Sequence, residues 1–143
     1  MQLLHAAFCV AITTFAAMAF FLVKDKLHFS MATGQKDPYF PLFPILAVIF
    51  VVAGQFLFGK QLSALNTSAT ADEKLVRYQT AFIIRCAFIE AAALLNIVAF
   101  MSIGNTVYLA VAAVLLVVFI GFRPTKAGIT DLLGLQYPDT EKL

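Results

Sequence analysis

The sequence predicts an all-α integral membrane protein: a bundle of four transmembrane helices in two antiparallel hairpins, with helix three extended into the cytoplasm. Three observations predict it. The 143-residue chain is 62% hydrophobic and only 13% charged, about half the charged share of an ordinary soluble domain, which is roughly 25%. Its mean hydropathy is +0.90, more apolar surface than a water-soluble core of this size can bury. Apolar stretches place helices at about residues 3–23, 41–62, 71–103 and 107–122, leaving a tail at 123–143. A bilayer crossing needs roughly 20 such residues, so the whole chain reads as one transmembrane domain.

Each element has a local reason. No Lys or Arg precedes Lys24, so the first stretch lacks the positive start of a signal peptide and reads as a retained helix. A polar loop, Lys24 to Pro38, leads to Pro38-Tyr-Phe-Pro41-Leu-Phe-Pro44. Proline is tolerated at a helix start, and Tyr39, Phe40 and Phe43 suit a water–lipid interface. Thr70-Ala-Asp-Glu73 matches the capping box, in which the Thr hydroxyl and the Glu carboxylate satisfy each other's backbone N–H. Asp72 and Glu73 also complement the helix dipole. Helix three is thus expected from Ala71 to about Ile103, ~50 Å long at 1.5 Å per residue, with its first two turns standing in water. Ser102-Ile-Gly-Asn-Thr106 is an uncharged turn into helix four, and Arg123-Pro124 ends that helix. In the tail, Ile129, Leu132, Leu133 and Leu135 stand at near-helical spacing and predict a short helix lying on the membrane surface.

Lys and Arg in short loops set orientation. Lys60, Lys74, Arg77, Arg123, Lys126 and Lys142 fall on one side, and Lys24, Lys26 and Lys36 on the other. That asymmetry puts the chain in the cell membrane with both termini cytoplasmic.

Several classes of function are excluded or disfavoured. The formal net charge is +2 with no long basic run, so no nucleic acid is expected as a partner. Cys9 and Cys86 lie in apolar spans and read as small buried hydrophobes. His5 and His28 fall near opposite membrane faces, so no haem or metal site is assigned. No nucleophile–base pair or phosphate loop appears, and no catalytic residue and no cofactor is assigned.

Interest centres on the polar residues inside the spans. Glu90 is the one carboxylate within the apolar stretch Tyr78 to Ile103. An ionised carboxylate in hydrocarbon is costly, so it seeks a partner, a cavity or another helix. At about 100° per residue, Arg85 and Asn96 share a face and Glu90 is turned well away from it. Cys86, Ala87, Ala93 and Leu94 share the face of Glu90, and small side chains let another helix approach closely. Glu90 is therefore expected to be a buried, protonated carboxyl hydrogen-bonding across a helix interface, or else a proton or cation site. Arg85 is expected to snorkel toward the headgroups, the alternative being a buried pair with a carboxylate or lipid phosphate. Asn96 and Gln55 read as interhelical hydrogen-bond residues.

Residues 86–100, Cys-Ala-Phe-Ile-Glu-Ala-Ala-Ala-Leu-Leu-Asn-Ile-Val-Ala-Phe, resemble the carboxylate-bearing helix of the rotary ATP synthase c subunit, the proteolipid. Ala87, Glu90, Ala91, Ala93, Leu94 and Val98 carry the likeness. It implies an ion-binding role for Glu90 alone. The family's glycine-rich preceding helix and its Arg-Gln-Pro loop are absent. The expected function is a small non-enzymatic subunit, structural, accessory or assembly, of a membrane complex or homo-oligomer, with the bilayer and other membrane subunits as partners. A proton- or cation-binding subunit of a translocating complex is the alternative. A small membrane enzyme acting on lipophilic substrates is a further one, with a sparse polar set for that work.

Overall fold

The computed structural model describes residues 1–32, 37–65, 69–136 and 139–142; Lys36, counted above among the loop charges, lies outside them. The described residues are helical with no strand. In chain order they form α1 (Gln2–Val23), a 3-10 turn (Lys24–Lys26), α2 (Leu42–Ser63), α3 (Ala71–Ile103), α4 (Thr106–Gly121), α5 (Lys126–Leu133) and a second 3-10 turn (Asp139–Lys142). Among the described residues three helices are long and apolar enough to cross a membrane: Gln2–Lys26, Leu42–Ser63 and Ala71–Ile103. Helix α4 has 16 residues and qualifies only together with α5, to which it is bent by 69°.

The ends of α3 are set locally. The Thr70 hydroxyl accepts from the Glu73 N–H at 3.3 Å, and the Glu73 carboxylate accepts from the Thr70 N–H at 2.9 Å. At the other end Gly104 takes the left-handed conformation, φ 78°, and donates its N–H to Phe100 O. Asn105 then caps α4 by accepting from the Val107 N–H. Two residues thus reverse the chain between α3 and α4, which pack antiparallel.

Helix α3 is the centre of the structure. It packs against α1, α2 and α4 and carries buried residues along its length from Tyr78 to Phe100. The other pair departs from the two-hairpin expectation: α1 and α2 do not pack as partners, and each lies instead against α3 and α4. The polar segment between α1 and α2 is long enough to carry the chain past α3, whereas the α3–α4 turn leaves no such choice. Helices α1 and α3 run parallel. His5 lies against Phe82 at one end, ring centroids 6.2 Å apart, and Val23 approaches Gly104 at the other. Helix α2 comes close to α3 at Gly54, where an added Cβ would stand 3.0 Å from Phe88 Cβ. The outward faces remain apolar: Val10, Phe21, Val52, Phe56, Val114 and Val117 are all more than 60% exposed, a surface that suits hydrocarbon rather than water.

The tail forms a short helix, α5, within the stretch where one is expected. Ile129, Leu133 and Leu135 are buried, while Leu132 stays 54% exposed. Lys74 Nζ donates to Leu133 O at 3.3 Å. Three of the four apolar tail residues are thus covered by protein, and that bond ties the end of α5 to the first turn of α3.

Candidate functional site

Glu90 sits at the mid-height of the helices, two residues beyond Phe88, which opposes Gly54 of α2. It is half-buried. Cys86, Ile89 and Ala93 are buried to one side of it, while Ile83, Ala87 and Val98 are exposed on the other. Among the described residues no group hydrogen-bonds to Glu90 or pairs with its charge. None of the described residues supplies the interhelical bond expected of it. The reason lies in its position: with Ile83, Ala87 and Val98 exposed on one side of it, Glu90 stands at the edge of the packed face of α3.

Arg85 does not snorkel. It is 6% exposed, and its guanidinium is enclosed by rings from α2, from α3 and from the C-cap of α4. The Cζ atom lies 3.9 Å from the Phe58 centroid, 4.5 Å from that of Phe122 and 5.6 Å from that of Phe82. A desolvated cation over a ring gains about 2 kcal/mol, which explains how the side chain is held inward. Nη1 donates to Gln55 Oε1 at 3.5 Å, a long bond. Nε is buried with no acceptor, and among the described residues no carboxylate is paired with the group.

Asn96 is fully buried. Its Nδ2 donates to Ala92 O at 2.9 Å on its own helix and to Phe43 O of α2 at 3.4 Å, while Oδ1 has no donor. Arg85 and Asn96 therefore both reach α2, and Glu90 does not join them. Arg85 and Gln55 are the two sequence candidates whose side chains meet.

Sequence reasoning missed a second polar cluster, at the other end of the molecule. Asp37, in the segment before α2, is 5% exposed, and Asn105 and Tyr108 are fully buried. Asp37 Oδ1 accepts the Tyr108 hydroxyl at 2.5 Å and the N–H groups of Tyr39 and Phe40 at 3.3 and 3.2 Å. Asp37 Oδ2 accepts Asn105 Nδ2 at 2.8 Å. The Asn105 amide also donates to Ser30 O and accepts from the N–H groups of Ser30 and Val107. His28 completes the join, bonding Gly104 O and the Thr106 N–H through its backbone. Burial pushes the Asp37 carboxyl upward, but the hydrogen bonds from Tyr108, Asn105 and the two backbone N–H groups outweigh it and hold it below the usual carboxylate range. The available signals were the Asp-Pro step at 37–38 and the Asn before an apolar helix, neither of which says that the two meet.

His5 and His28 stand at opposite ends of the molecule. His5 Nε2 donates to Phe119 O at 2.8 Å, with its ring stacked on that of Phe119. Cys9 and Cys86 are free. Among the described residues no three His, Cys, Asp or Glu side chains gather as metal ligands would. No protein-family model, no curated protein and no solved structure matches the chain. The proteolipid likeness of residues 86–100 stands on those residues alone.

Proposed function

We propose that this chain is a small non-enzymatic integral membrane protein, crossing the bilayer four times with both termini cytoplasmic. It serves as a structural, accessory or assembly subunit of a membrane complex or homo-oligomer, and Glu90 is the group it offers to its partner. The observation that carries the reading is the half-exposed Glu90 carboxyl at mid-height, with no hydrogen-bond partner among the described residues. A polar group in hydrocarbon without a partner is costly, and such groups in membrane helices face other helices. The flanking Ile83, Ala87, Leu94 and Val98 supply an apolar surface on which a further helix can seat. An interhelical hydrogen bond in a membrane is worth about 1 kcal/mol. Glu90 therefore orients such an assembly, and packing holds it together.

An enzymatic role finds less support. Arg85 and Asn96 are both packed toward α2 and lie ~16 Å apart along the helix, so they do not converge on one substrate. Proton binding is the second reading, favoured by the same unpaired carboxyl, which is free to exchange a proton with a neighbour.

The test is purification in mild detergent with cross-linking. The assembly reading expects a larger complex or an oligomer that Glu90→Leu weakens and Glu90→Gln preserves, since the amide still donates a hydrogen bond. A stable, isolated wild-type monomer in lipid nanodiscs counts decisively against it. Carbodiimide labelling of Glu90, blocked as pH falls or by Na⁺, would favour the ion-binding reading instead.

A further inference from the structure

A groove of about 530 Å³ runs along the outside of the molecule between α2 and α4, and no polar atom lines it. Its walls include Val48 and Val52 of α2 and Val111, Val114 and Val118 of α4. Both stripes continue at helical spacing toward the end of the molecule that carries α5. On α2 the next residues on that face are Gln55 and Phe58. On α4 it is Phe122. Gln55, Phe58 and Phe122 are the residues that meet the Arg85 guanidinium. The apolar groove therefore leads, within about one turn of each helix, to a buried cation.

Among the described residues that cation has rings and a neutral amide for company, a buried Nε without an acceptor, and no carboxylate. A charge removed from water without a counter-charge is destabilising unless it is paired. Gln55, which accepts from the guanidinium, is itself exposed, so the cation lies one side chain from the outside. Two further cations, Lys60 and Arg123, stand exposed beside Phe58 and Phe122 at the ends of the same two helices. Apolar walls ending in one inner and two outer positive charges complement an amphiphile with a negative head and a hydrocarbon tail.

We propose that this groove binds an anionic glycerophospholipid of the adjoining leaflet. Its acyl chain lies between α2 and α4, and its phosphate oxygens accept from Arg85, with Lys60 and Arg123 as the outer contacts. Arginine suits the role because its planar N–H fork matches phosphate oxygens. The inference depends on the α2–α4 groove and Arg85, not on Glu90, so it stands or falls apart from the assembly reading.

The experiment is native mass spectrometry of the full chain in detergent, titrated with phosphatidylglycerol or phosphatidylcholine carrying identical acyl chains. The wild type is expected to prefer phosphatidylglycerol about tenfold: both lipids bring the phosphate, but phosphatidylcholine adds a fixed positive charge that is repelled beside Arg85. Arg85→Gln is expected to abolish the preference, and Val114→Trp, which fills the groove and leaves Arg85 in place, to weaken both lipids. Inorganic phosphate is expected not to displace the lipid. Equal binding of the two lipids by the wild type overturns the proposal. So does a preference surviving in Arg85→Gln, undiminished binding in Val114→Trp, or full displacement by phosphate, which would mean a free-anion site. If Arg85→Gln does not fold, the Val114→Trp and phosphate arms decide.

Discussion

The Tyr108 hydroxyl donates to Asp37 Oδ1 at 2.5 Å, tying the segment before α2 to the first turn of α4. The two residues are 71 positions apart in sequence. The same carboxylate takes Asn105 and two backbone N–H groups, so one acid organises four donors. Tyr108→Phe removes one of them and is expected to cost about 1–2 kcal/mol. Asp37→Ala takes the acceptor from all four, of which the Tyr108 hydroxyl and the Asn105 amide belong to fully buried residues, and is expected to cost about 3 kcal/mol or more, since each unsatisfied buried donor costs about 1–3 kcal/mol. Thermal unfolding in detergent compares the two; equal losses would contradict the arrangement.

The same carboxyl sets an acid limit. Its folded-state pKa lies below the ordinary value, so the unfolded chain binds the proton more readily. Stability from Asp37 is therefore fully present above the unfolded value of about 3.9 and is lost as pH falls through the lower folded value. Asp37→Asn cannot titrate. The stability difference between wild type and Asp37→Asn should be constant from about pH 7 to pH 5 and shrink toward pH 2. A difference that grows on acidification would reverse the sign and refute the account.

Two glycines are expected to resist substitution where a third does not. At Gly104 the backbone φ is 78° and an added Cβ would stand 2.5 Å from Lys26 O. Gly104→Ala therefore meets left-handed strain of about 1–2 kcal/mol plus a clash with a carbonyl that is part of the backbone. At Gly54 the obstacle is Phe88 Cβ at 3.0 Å, and α2 has to move off α3, at about 1–3 kcal/mol. At Gly59 nothing lies within 4 Å, and Ala is expected to be neutral or to stabilise by about 0.5–1 kcal/mol. Chemical unfolding of the three variants gives the ranking.

The helices were legible because their signals are local. The capping box at Thr70 and Glu73, the Gly104-Asn105 turn and the apolar runs each involve residues a few positions apart. Even the short tail helix is visible in the spacing of Ile129, Leu132 and Leu133. What was not legible is which surfaces meet. Nothing in the α1–α2 segment says that α1 will lie parallel to α3 instead of pairing with α2. Asp37 and Asn105 each look like ordinary turn residues until the fold brings them within 2.8 Å. For Arg85 the helical wheel gives the face, but the rings that enclose it come from α2 and from the end of α4, far apart in sequence.

That enclosure yields a measurable coupling. Phe58→Ala would open a cavity and confound the reading, with a loss of about 3–5 kcal/mol. Phe58→Leu keeps most of the volume and removes the ring's negative face. Arg85→Met keeps much of the stem and removes the charge. If the guanidinium is held by the ring at 3.9 Å, the double variant should be less destabilised than the sum of the singles, by about 1–2 kcal/mol. A snorkelling arginine, solvated at the membrane surface, would give a coupling near zero. The sign is also informative. Arg85→Met alone removes a buried charge that has no counter-ion, so its loss should be small, or even a gain, because apolar replacements of buried charges are often neutral or stabilising. Phe58→Leu alone leaves that charge in place with less to hold it, and should be the more harmful of the two. The reverse order would mean that Arg85 has a counter-charge within the chain, contrary to the geometry.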